Sequence, residues 1–175
     1  YIAGLLKYAP EFCCVTNQYV NSYKRLVSGC EAPTYISWGA RNRSTLVRIP
    51  MYRPNREMAC RVELRSPDPA ANPYLVFAVM LAAGLAGIEE ELELDLPTEN
   101  VDLFALSRQE LRKQDVKTLP ESLGEAVELF AGSELMKRTL GEHIHSYLVD
   151  AKRAEWNEYQ GTVSEWERNR YLEVL

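Results

Sequence analysis

The chain has 175 residues, 46% of them hydrophobic and 26% charged, which is enough for one well-buried domain and too few for three. A formal net charge of −5 argues against a general nucleic-acid binder, because neutralising phosphates needs a basic surface. The longest apolar run, residues 74–85, falls short of the roughly 20 residues of a membrane span, so no membrane crossing is expected.

From the N-terminus, Ile2, Leu5, Leu6, Phe12 and Val15 predict a helix over 2–15 with one buried face, broken near Pro10. The opening YIAGLLKYAP lacks the basic start and small-residue cleavage site of a secretory signal and reads as a helix already under way. Cys13, Cys14, Cys30 and Cys60 include an adjacent pair but no C-x-x-C. That pattern suggests neither a zinc site nor a disulfide scaffold and fits a reducing cytoplasm. The polar stretch from Thr16 to Glu31 reads as a long ordered loop, of the kind that carries function inside compact domains.

Three β-rich runs follow, TYISWGA, STLVRIP and CRVELR, with Pro33, Pro50, Pro54 and Pro67 marking their ends. On the last, the period of two puts Arg61, Glu63 and Arg65 on one face and turns Val62 and Leu64 the other way, into apolar packing. After SPDPAANP the pattern becomes helical, with Asn72 as N-cap, Pro73 in the first turn, and a stretch from Leu75 to Ile88 apolar on almost every side, which predicts a core helix. Residues 94–117 are polar and predict an irregular surface excursion. Beyond them Ser122 with Glu125 forms a capping-box pattern, Gly132 marks a stop, and Ser133 opens a helix through His145 to Tyr159. The fold class is therefore α+β: an antiparallel sheet over about 34–66 packed on the helix from Asn72, then a helical C-terminal region.

An acidic protein nevertheless gathers Lys24, Arg25, Arg41, Arg43 and Arg48 within a short span. Planar guanidinium forks suit phosphate and carboxylate, so ARNRSTLVR reads either as surface charge or as a polyanion site such as ATP phosphates. The run RVELR is either a salt-bridged strand edge or a site in which Glu63 ligates a hard cation while Arg65 neutralises an anion beside it. Glu31, in SGCEAP, is either solvated or a movable base on a lid. His143 and His145 stand two apart, too close in register to share a helix face, and read as structural.

In their order along the chain, NSYKRL, EAP, ARNRS, RIP, RVELRSPDPAANPYL and AAGL closely resemble the C-terminal part of the catalytic domain of type I glutamine synthetase. SLGEAVE, LGEHI and EWERNRYL are similar to its I-alpha branch. The resemblance covers essentially the whole chain. It implies an ATP-dependent ligase that joins glutamate and ammonia through γ-glutamyl phosphate, using Mg²⁺ or Mn²⁺, in a cytoplasmic homo-oligomer that is a dodecameric ring in the full-length family. It also implies that Arg25 binds the glutamate carboxylate and Glu31 takes a proton from ammonium. Arg43 and Arg48 hold ATP phosphates, Glu63 ligates a divalent metal, and Arg65 contacts the transferring phosphoryl group or glutamate.

Three departures matter. The flap reads Ser28, Gly29, Cys30, Glu31 where relatives have proline-glycine-tyrosine before the acid, and Phe104 stands where some relatives carry a modifiable tyrosine. The N-terminal β-grasp domain and the upstream metal-ligand region of the family are not represented in residues 1–175, so the expectation is a partial catalytic domain inactive by itself. The alternatives are a γ-glutamyl-amine or polyamine ligase of the same superfamily, or a non-catalytic oligomerisation or regulatory module.

Overall fold

The computed structural model describes residues 1–26, 32–51, 55, 57–99, 101–113 and 116–174. Residues 2–16 form one helix, α1 (Ile2–Thr16), which runs on through Pro10. The expected break is absent for an energetic reason. An interior proline costs about 3 kcal/mol, whereas Leu5, Ala9, Phe12 and Cys13 on the same helix are at most 1% exposed, and each large apolar side chain so buried contributes about 1.5–3 kcal/mol. The polar stretch that follows contains a short helix, α2 (Ser22–Arg25), without a side-chain cap.

Asn72 opens α3 (Pro73–Glu89): its Oδ1 accepts from the Tyr74 and Leu75 amides, and Pro73 fills the first turn. α1 crosses α3 where Gly4 meets Gly87 and Ala83, so closely that a Cβ on either glycine would run into the opposite backbone. The core-helix expectation for α3 holds on one side only. Val76, Val79, Ala83 and Ala86 are buried, whereas Tyr74, Phe77, Leu81, Leu85 and Ile88 are 45–83% exposed. A helix apolar on all sides encodes no preferred face, and the described chain covers just one of them.

Ser122 caps α5 (Leu123–Ala131) by accepting from Glu125 N, while the Glu125 carboxylate accepts from Glu121 N rather than from the cap itself. Ser133 likewise caps α6 (Glu134–Gln160), which bends at Gly141, where φ is 77°. Only glycine takes that conformation cheaply. The excursion 94–117 is more ordered than its polarity suggests: it holds a 3-10 turn over Leu103–Ala105 and a helix, α4 (Arg108–Lys113), and Leu103 is fully buried. The last helix, α7 (Glu165–Tyr171), has reciprocal caps from Ser164 and Glu167 but buries nothing. No helix among the described residues is long and apolar enough to cross a membrane.

The sheet has three strands in the order β1 (Tyr35–Gly39), β2 (Thr45–Arg48), β3 (Glu63–Leu64), so the α+β class holds. Its pairing is mixed rather than wholly antiparallel: β2 and β3 are antiparallel, but β1 and β2 run parallel, with Tyr35 opposite Thr45 and Gly39 opposite Arg48. Parallel neighbours usually need a crossover of about a dozen residues. Here the strands are so short that residues 40–44 suffice, because Asn42 pins the return. Its Nδ2 donates to the Thr98 and Val101 carbonyls, and its Oδ1 accepts from both the amide and the hydroxyl of Ser44. The outer edge of β1 is answered by Lys117 O and by Leu119 N, leaving no bare ladder between Thr34 and Ile36. Leu64 packs on the core as anticipated, but Val62 is 38% exposed, since the strand begins only after it.

Candidate functional site

The register of β2 against β3 builds the site. Arg48 lies opposite Glu63, and its Nη1 is 3.5 Å from Glu63 Oε2; from the same side Arg61 Nε reaches Glu63 Oε1 at 3.3 Å. One carboxylate therefore answers two guanidiniums. Both ion pairs are partly exposed, so each contributes little to stability, on the order of 0–1 kcal/mol. Their effect is to hold the forks in place.

Arg41, Arg43, Arg48 and Arg61 line an open cavity of about 440 Å³, together with Ala40, Pro50 and Met51. Arg41 Nε also donates to the Met51 sulfur at 3.0 Å. Arg65 sits at the side of this group, half-buried, donating through Nη1 to the Arg43 and Thr45 carbonyls. Burial pushes its guanidinium below the ordinary arginine value; Arg48 and Arg43 push the same way, and Glu63 opposes them. An anion entering here would relieve that repulsion, and planar guanidinium forks are the right shape for phosphate or carboxylate oxygens.

Arg25 is not on the cavity wall. Its Nη2 donates to the Ser66 carbonyl, one residue beyond Arg65, and its Nε is buried with no hydrogen-bond partner among the described residues. Asn17, fully buried, donates to the same carbonyl at 2.9 Å, so Ser66, two residues beyond β3, joins that strand to the end of α1 and the α2 segment. Glu31 lies outside the described residues. Thus Arg43, Arg48, Glu63 and Arg65 come together, Arg25 is tied to their neighbour, and Arg41 and Arg61 join the wall with no role assigned from sequence. Arg61 was legible as the i−2 partner of Glu63 and Arg41 as the i−2 partner of Arg43. The Ser66 hub was not, because a backbone carbonyl leaves no trace in residue type.

The described residues do not make a metal site on their own. Among them no group of three or more His, Cys, Asp or Glu side chains is placed to hold an ion, and both oxygens of Glu63 are engaged by arginine. His145 is used internally: it stacks on Phe130 at 4.6 Å, with Nε2 3.0 Å from the Phe130 carbonyl. Cys13 and Cys14 are poor nucleophiles, since burial pushes both thiols up to about 12.

The family model described as glutamine synthetase, catalytic domain, matches residues 1–171. A glutamine synthetase of Methanosarcina mazei is 53% identical over 175 residues, covering 100% of this chain and 38% of the relative. One from Mycolicibacterium smegmatis is 51% identical over 174 residues, covering 99% of this chain and 39% of the relative. Among solved structures, one titled "GmaS/ADP complex-Conformation 1" superposes with a TM-score of 0.83 at 38% identity, over 98% of this chain and 38% of that one. The chain thus spans less than two fifths of the proteins it matches.

Proposed function

The chain belongs to the glutamine synthetase catalytic-domain family, and from that premise we propose that residues 1–175 are the C-terminal part of an ATP-dependent glutamate–ammonia ligase. The observation that carries the reading is the convergence of Arg41, Arg43, Arg48 and Arg61 on one open cavity with Arg65 beside it. Phosphoryl transfer asks little covalent chemistry of a protein and much positioning and charge neutralisation, which is what such a wall supplies.

In this reading Arg43 and Arg48 hold the ATP phosphates, and Arg25 binds the carboxylate of glutamate. The γ-carboxylate attacks the terminal phosphorus, ADP departs, and γ-glutamyl phosphate forms; Arg65 offsets the charge on the oxygens in transfer. Ammonium gives a proton to Glu31, and the ammonia so formed displaces phosphate to give glutamine. A divalent cation, Mg²⁺ or Mn²⁺, would neutralise phosphate charge when bound. Glu63 would be one of its ligands, with the others supplied from outside residues 1–175.

For the same reason we propose that this chain has no ligase activity alone, and that it works within a longer polypeptide and a cytoplasmic homo-oligomer. The apolar stripe of Tyr74, Phe77, Leu81, Leu85 and Ile88 supports a missing covering surface, and Cys13, Cys14 and Cys60 as free thiols fit a reducing compartment.

The test is a γ-glutamyl transfer assay on residues 1–175 and on a full-length polypeptide containing them. Turnover is expected only from the longer protein. There Arg48→Ala should lower kcat/KM for ATP by about 10- to 100-fold, the scale of a lost charge-assisted contact. Turnover by the short chain, or a full-length enzyme indifferent to Arg48→Ala, would contradict the reading.

A further inference from the structure

α2 is too short to set its own direction: four residues without a side-chain cap give almost no cooperative stabilisation. Tyr23 and Leu26 bury their side chains in the core and Arg25 itself donates to the Ser66 carbonyl, and the segment leading into α2, residues 17–21, adds ties on two sides. One side of that segment is sewn to the stretch after β3. Asn17 Nδ2 donates to Ser66 O at 2.9 Å, Gln18 Nε2 to Ala70 O at 2.6 Å, and Asp68 N to Thr16 O at 2.8 Å. The other side meets α6. The Val20 amide donates to Glu155 Oε1 at 3.2 Å, and Lys152 Nζ, 2.8 Å from Glu155 Oε2, lies 4.9 Å from the centre of the Tyr19 ring.

This second tie is not ordinary surface charge. The Lys152 side chain is 12% exposed and that of Glu155 33%, so solvent screens the pair weakly. The turn of α6 that carries it is also anchored from behind. Trp156 lies so tightly on Gly124 of α5 that a Cβ there would strike the indole, and Arg153 makes a bidentate pair with Glu128 of α5 through Nε and Nη2, both at 2.7 Å. One turn of helix thus grips α5 on one side and the 19–20 backbone on the other.

We propose that Glu155, braced by Lys152, is a positioning residue for Arg25: it sets the depth and direction of α2 by holding the Val20 amide. The C-terminal half of α6, beyond the bend at Gly141, is then part of the substrate-binding apparatus although it touches no substrate. The inference rests on the reading of Arg25 as a glutamate-binding residue, and two readouts separate the clamp from that reading.

The experiment uses the full-length polypeptide with Glu155→Ala, Glu155→Gln, Lys152→Met and Arg25→Ala. Glu155→Ala should raise KM for glutamate about five- to tenfold while KM for ATP and kcat stay within about twofold, the signature of lost ground-state binding of one substrate. Glu155→Gln keeps an acceptor for the Val20 amide but loses the ion pair, so it and Lys152→Met should each raise KM for glutamate about two- to threefold, less than Glu155→Ala. Amide exchange of residues 20–25 should quicken most in Glu155→Ala and less in Glu155→Gln. An unchanged glutamate KM in Glu155→Ala, or an equal rise for ATP, overturns the positioning role. Unchanged exchange overturns the clamp itself. If Arg25→Ala leaves the glutamate KM unaltered while exchange responds as described, the clamp stands and the assignment of Arg25 falls.

Discussion

At the α5–α6 contact, Phe130 is sealed from solvent and stacks on His145, whose Nε2 is spent on the Phe130 carbonyl. At the arginine cavity, Arg41, Arg43, Arg48 and Arg61 stand around open space, and Glu63 is the one carboxylate paired to any of them among the described residues. The first region finds its partners within the chain. The second keeps several cations close together around open space: burial lowers the Arg65 value first, and Arg48 and Arg43 add to it, a surplus of positive charge that an anion would offset.

If the comparison is right, mutations in the two regions should act on different observables. The largest stability effect belongs to Phe130→Ala, which removes a fully buried ring and the surface on which His145 stacks; a loss of about 3–5 kcal/mol is expected in denaturant unfolding. Arg48→Ala is the matched test. It forfeits one weak, partly exposed ion pair and relieves Arg65, so stability should move by no more than about 0.5 kcal/mol. A loss comparable to that of Phe130→Ala would mean the cavity is scaffold after all.

The smallest effect is a pH dependence at the surface of the helical layer. Glu90, at the end of α3, has its carboxyl held below the ordinary 4.5 by Lys7, 2.5 Å away, and then by Tyr8. Ionised Glu90 therefore stabilises the fold above about pH 4.5, and that contribution is lost as the pH falls through the lower folded-state value. Unfolding midpoints measured from pH 3 to 7 should show a shallower acid slope for Glu90→Gln, with little change in shape near neutrality. An identical slope would show that the α1–α3 tie carries no linkage.

Much of the site was readable because its signals are local. A period of two in RVELR put Arg61, Glu63 and Arg65 on one side of a strand, and in the structure Arg61 and Glu63 do meet while Arg65 turns to the Arg43 and Thr45 carbonyls. Caps were readable too, since Asn72, Ser122 and Ser133 each answer amides two or three residues ahead. The parallel return from β1 to β2 was not, because alternation says which way side chains point and nothing about which strand lies beside which. Nor was the ordering of the 94–117 excursion, where Leu103 is buried in a stretch whose composition is polar.

The residues alone determined the α+β class, the start of each long helix, and a concentration of guanidinium forks around one acid, since capping, periodicity and side-chain chemistry act within a few residues. Only the tertiary structure decided that Arg48 faces Glu63, that Arg25 hangs from the Ser66 carbonyl, and that α6 reaches back to the Val20 amide. These contacts join positions 15, 41 and 135 residues apart through backbone groups and strand register. Every residue type but proline offers the same backbone donor and acceptor, so little in the order of side chains announces which carbonyl or amide will be used.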